Sequence, residues 1–186
     1  MSDTIHPVLH TDYTAPTPEG YDTIGLAAGC FWGAERLFWQ LDGVHTTSVG
    51  YQGGQTTSPT YREVCTGQTG HAETVQVTYE PEQLETLLAT FFEIHDPTTL
   101  NRQGNDVGTQ YRSAIFTHTP EQYDAAVKAK AHYDERLVAA GYSPSVTEIH
   151  KDFHPYWLAE PDHQQYLHYR PNGYCMHGLC QVTYND

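Results

Sequence analysis

At 186 residues, 38% of them hydrophobic and 17% charged, the chain has the composition of one globular domain, long enough to bury on the order of 70% of its unfolded surface and so to fold without disulfide staples. Nine Lys and Arg against 23 Asp and Glu leave a net charge of −14, a field that repels phosphate backbones and anionic lipid and excludes a nucleic-acid or membrane-surface role. The first twenty residues hold no apolar segment of signal length and no later stretch approaches a membrane span, so a cytoplasmic protein is expected, whose cysteines are catalytic or buried thiols rather than permanent bridges.

Residues 1–20, rich in Pro and Thr, read as a flexible leader crossing the surface, and 21–186 as one folded unit. The alternation of Ile24, Leu26 and Ala28 predicts a strand over 23–28 that runs through Gly29 into a helix over 31–41. A polar strand follows at 44–51, then a Gly- and Thr-rich loop over 52–70, of a length that usually carries function. Glu73, Val75, Val77 and Tyr79 share one face of the next strand, and Leu84, Leu87, Leu88, Phe91 and Ile94 mark an amphipathic helix that stops before Pro97. After a polar loop over 96–110 come a strand at 112–117 and a helix reaching Ala140, opened by a capping box of Thr119, Pro120 and Gln122 and ended by Gly141. A short strand at 146–153, a short helix at 161–169 and an irregular tail over 170–186 complete the chain. The order of elements predicts an α+β, single-domain two-layer sandwich: a mixed β-sheet with packed helices, ferredoxin-like in its core.

Cys30 leaves a strand and opens a helix, where free N–H groups and the positive end of the helix dipole favour thiolate. In Gly-Cys-Phe-Trp-Gly, 29–33, Phe31 and Trp32 supply an apolar wall beside the thiol, and the glycines let a substrate approach the backbone. Glu73 is aimed into the apolar side of its strand, where desolvation raises a carboxyl pKa and yields a neutral acid. Cys175, in a Gly-flanked tail, is a mobile second thiol, whereas Cys65 reads as buried and inert. Two rival readings are acyl transfer by Cys30 with His71 and Asp106, and a redox or metal sensor without turnover; Cys175, His177 and Cys180 form the one cluster in the sequence worth testing for a metal. No CxxC pair stands ahead of a histidine pair at zinc-finger spacing, so no metal site is expected, nor a bound cofactor.

The pentapeptide resembles the signature of the type A peptide-methionine sulfoxide reductases, and so do GYQGG (50–54), TYREVCTGQTGHAE (60–73), FFEIHDPTT (91–99), QGNDVGTQYRSAIF (103–116) and EPDHQQYLHYRPNGYC (160–175), blocks that together span roughly residues 22–175. The resemblance implies reduction of methionine S-sulfoxide, free or in proteins, with Cys30 as nucleophile and Glu73 as acid. Tyr61 and Tyr111 are then phenol donors, Asp106 an organising carboxylate, and Phe31 and Trp32 the cup for the substrate methyl group. Cys175 is implied as the resolving thiol and Cys180 as a second recycling cysteine, although the spacing Cys175-Met-His-Gly-Leu-Cys180 is shorter than a Gly-rich relay. Thioredoxin would return the electrons, and a monomer is expected.

Overall fold

The computed structural model describes residues 3–175 and 182–185. In chain order the elements are β1 (Asp22–Ala28), α1 (Phe31–Trp39), β2 (Val44–Gln52), α2 (Tyr61–Cys65), β3 (Ala72–Tyr79), α3 (Leu84–Glu93), a hairpin of β4 (Arg102–Gln103) and β5 (Asp106–Val107), β6 (Ser113–Phe116), α4 (Pro120–Ala139), β7 (Glu148–His150), β8 (Tyr156–Leu158) and α5 (Tyr166–Tyr169). The main sheet is six-stranded, in the order β7-β6-β1-β3-β2-β8. Its central four strands, β6-β1-β3-β2, are antiparallel neighbours, with β3 slotted between β1 and β2. That is the ferredoxin-like core expected from the sequence. β7 joins β6 in parallel and makes the sheet mixed.

One face of the sheet carries the predicted apolar positions. Leu26 of β1 and Val75 and Val77 of β3 are fully buried with Phe38 of α1, Phe91 of α3 and Tyr133 of α4 in a single cluster. A smaller cluster of Ala27, Ala72, Ala114 and Phe116 lies separately. The described end of the tail is tied down on the helical side: Tyr133 Oη donates to the Val182 carbonyl at 2.7 Å and the Tyr184 N–H to Glu93 Oε1 at 2.6 Å. No helix among the described residues is long and apolar enough to cross a membrane.

Several expectations are corrected. The 52–70 loop contains α2, opened by a full capping box in which the Glu63 N–H donates to Thr60 Oγ1 and the Thr60 N–H to Glu63 Oε1. Thr60-Tyr-Arg-Glu63 is the sequence signature of that box. The start of α4 is only half a box: Thr119 accepts from the Gln122 N–H, while Gln122 Oε1 reaches past Thr119 to the His118 N–H. β8 was not expected, and it covers the free edge of β2. The predicted helix over 161–169 is broken by Gln165 at φ +47° into a turn of 3₁₀ helix, Pro161–His163, and α5. The leader is pinned at several points: His6 is fully buried against Thr47, Thr11 Oγ1 donates to the His45 carbonyl at 2.9 Å, and the Thr17 and Thr23 hydroxyls lie 2.6 Å apart.

Candidate active site

β1 ends at Ala28, and the next residue, Gly29, turns the chain at φ +87°, a conformation glycine adopts without strain, delivering Cys30 to the N-cap of α1. The backbone N–H groups of Trp32 and Gly33 pull the Cys30 thiol toward its anion. Their pull toward thiolate is overcome: the sulfur is buried beside Glu73, and burial first, then the neighbouring carboxyl, push its pKa well above the ordinary thiol value. The thiolate expected at this helix start is therefore a neutral thiol at rest, because desolvation outweighs the dipole.

Glu73 lies in β3, opposite Tyr51 of β2, 2% exposed. Its Oε1 accepts the Phe31 N–H at 3.1 Å, which fixes the carboxyl against the start of α1 next to Cys30. Burial pushes its pKa up to about 8, against the opposing pull of that N–H and with help from Asp106. Glu73 Oε2 is buried and has no hydrogen-bond partner among the described residues, and the same holds for Asp106 Oδ2. Buried polar atoms seldom stay unpaired, so two orphaned oxygens mark a place for a polar guest.

Tyr61, at the start of α2, and Tyr111, at the end of a 3₁₀ turn formed by Thr109–Tyr111, are half buried and both feel Glu73. Burial first and then that carboxyl hold both phenols well above the usual tyrosine range, so both remain donors. Asp106, in β5, accepts the Tyr174 hydroxyl at 2.7 Å through Oδ1. That bond holds the tail, with Cys175 next in line, at the site. Cys180 lies outside the described residues.

The apolar wall is larger than Phe31 and Trp32. Phe31 is fully buried and backs the site, 5.8 Å from the Tyr51 ring. Trp32 is half buried, stacked on Tyr166 with ring centroids 3.9 Å apart, and its Nε1–H donates to His163 Nδ1 at 3.1 Å. His163 also sits 4.3 Å from the Tyr61 ring. Sequence reading missed Tyr51, His163 and Tyr166 as parts of this wall, although the last two lie in the quoted block over 160–175.

Two other expectations change. Cys65 is exposed rather than buried, and its sulfur accepts a hydrogen bond from the Tyr61 hydroxyl. His71 cannot serve Cys30 as a base: its Nδ1 accepts the Gly54 N–H at 3.0 Å and its Nε2–H donates to the Thr56 carbonyl at 2.6 Å, so both nitrogens are occupied in holding the 52–70 loop. Among the described residues, no three His, Cys, Asp or Glu side chains are grouped to hold a metal ion.

A ferredoxin-like core with a buried thiol beside a buried acid whose second oxygen is unpartnered among the described residues, and a second cysteine brought up on a tail, is the makeup of a thiol-dependent oxidoreductase. A sequence profile described as peptide methionine sulfoxide reductase matches residues 22–184, and the chain belongs to that family. It is 51% identical to the peptide methionine sulfoxide reductase MsrA of Corynebacterium kroppenstedtii over 91% of this chain and 80% of that one. The solved methionine sulfoxide reductase A of Corynebacterium diphtheriae is 47% identical and superposes with a TM-score of 0.84, covering 92% of this chain and 84% of its own. Mxr1 of Saccharomyces cerevisiae, solved in complex with Trx2, is 25% identical with a TM-score of 0.56, covering 91% of this chain and 97% of its own.

Proposed function

We propose that this chain reduces methionine S-sulfoxide, free and in proteins, with Cys30 as the nucleophile and Glu73 as the acid. The observation that carries the reading is the pair formed by a buried thiol and a buried acid, pushed up to about 8, whose second oxygen has no partner among the described residues. A sulfoxide is a weak electrophile until its oxygen is protonated or strongly hydrogen-bonded, and a neutral carboxylic acid in a dry site supplies that bond. Glu73 gives its proton to the sulfoxide oxygen and recovers one from Cys30. The new S–S contact collapses as the S–O bond to the substrate sulfur breaks, and oxygen passes to Cys30. Methionine leaves and the thiol has become a sulfenic acid, with no net uptake of protons. Tyr61 and Tyr111 hydrogen-bond the oxygen as it moves, and Trp32, with Tyr166 behind it, receives the methyl group.

The sulfenic acid condenses with the Cys175 thiol, expelling water and leaving a disulfide. Thioredoxin then reduces that disulfide by thiol exchange, a partnership carried over from the Mxr1–Trx2 complex. Cys180 stands as a further recycling thiol. Dependence on reduced thiols suits the cytoplasm as the working compartment.

Reduced protein mixed with stoichiometric methionine S-sulfoxide tests the reading: one disulfide should form for each methionine released, counted by mass spectrometry. A covalent acyl adduct with esters, or methionine release without disulfide, overturns it. With Cys175→Ser, one methionine per protein is expected, followed by a stall under thioredoxin, while small thiols sustain turnover. Continued turnover with thioredoxin would move the resolving role to another cysteine.

A further inference from the structure

Glu35 is a buried titratable group that the chemistry above leaves unused. It sits on α1, three residues and so one turn after Trp32, and is 0% exposed. Three donors converge on it: the Gln165 N–H at 2.8 Å on Oε1, and Gln165 Nε2 at 2.9 Å and Thr47 Oγ1 at 2.7 Å on Oε2. Behind Thr47 stands His6 of the leader. Its Nδ1 accepts the Val8 and Leu9 N–H groups, which leaves the proton on Nε2 to be donated to Thr47 Oγ1 at 2.8 Å.

Gln165 is held at φ +47°, a conformation non-glycine residues keep only when their surroundings enforce it. The residue immediately after it is Tyr166, stacked on Trp32. One helix thus offers both an aromatic ring and a carboxylate, and one returning segment meets the ring with Tyr166 and the carboxylate with Gln165. We propose that Glu35 is a positioning residue: by clamping Gln165 in its left-handed conformation it sets Tyr166 against Trp32 and thereby shapes the cup for the substrate methyl group. This rests on the methionine sulfoxide reading above.

The test is steady-state and single-turnover kinetics with methionine S-sulfoxide on Glu35→Gln, Gln165→Ala, Gln165→Gly and the double variant Glu35→Gln/Gln165→Gly. Glu35→Gln and Gln165→Ala should raise KM about tenfold, the factor a single released backbone strain can carry, while methionine release at saturating substrate stays within about twofold of wild type. Glycine occupies positive φ without enforcement, so Gln165→Gly should keep a KM near wild type and the double variant should regain most of the loss. A part that merely fills space would show no such rescue. An unchanged KM in Glu35→Gln and Gln165→Ala, a fall in saturated rate at constant KM, or a double variant no better than Glu35→Gln overturns the proposal. Should Glu35→Gln fail to melt cooperatively, the Gln165→Ala and Gln165→Gly pair decides alone: a higher KM for Ala than for Gly supports the clamp, and equal values refute it. Failure of the wild type to reduce the sulfoxide would instead refute the underlying function.

Discussion

Replacing Cys30 with serine removes all sulfoxide reduction and leaves the fold in place. The serine hydroxyl is smaller than the thiol by little and suits the N-cap position of α1 that Cys30 occupies, since serine is among the preferred N-cap residues. A hydroxyl held beside a carboxyl in a dry pocket, however, has no accessible anion and cannot take up the oxygen in a reversible sulfur acid. No methionine should be released even in a single-turnover assay at stoichiometric enzyme. Measurable release would place the nucleophile on another cysteine and dismantle the site as described.

Glu73→Gln is expected to slow methionine release by ~10²- to 10⁴-fold, the usual worth of a positioned general acid. Glutamine can still accept the Phe31 N–H through its amide oxygen, so substrate affinity should change little. The wild-type rate should also fall as pH rises through about 8, where Glu73 gives up the proton it must lend. The same shift makes the wild type less stable at high pH. Its folded-state value lies above the ordinary 4.5, so between about 4.5 and 8 the unfolded chain sheds a proton that the folded one retains, and stability is lost across that window. Glutamine abolishes the loss. The melting temperature of Glu73→Gln relative to wild type should therefore climb between pH 5 and pH 8, by an amount corresponding to a few kcal/mol at most. A melting difference that stays flat with pH would mean that Glu73 is ionised at neutral pH and cannot act as the acid.

The regular parts of the fold are readable because their signals are local. Ile24, Leu26 and Ala28 alternate, Leu84 to Ile94 repeats with helical spacing, and Pro120 and Gly141 bracket α4. α2 was equally readable from Thr60 and Glu63 but is hidden inside a stretch whose glycines and threonines read as loop. β8 has no such local signal: it exists because the edge of β2 offers Gly50 to Gln52 a partner strand. The same division runs through the site. The positions of Cys30 and Glu73 follow from a strand-to-helix junction and a strand alternation. The protonation of Cys30 does not, since it depends on how deeply neighbouring segments bury the sulfur. Glu35 and Gln165 lie 130 residues apart and nothing local to either announces the other.

The resting thiol of Cys30 carries a benefit for a protein whose substrates arise under oxidative attack. Peroxide consumes sulfur anions far faster than protonated sulfur, and it needs access to the atom. A cysteine left 6% exposed, its sulfur held in the protonated state, is shielded during idle periods, and in the proposed scheme becomes reactive only when a sulfoxide arrives to exchange a proton with it. The repair catalyst is thereby spared the damage it corrects.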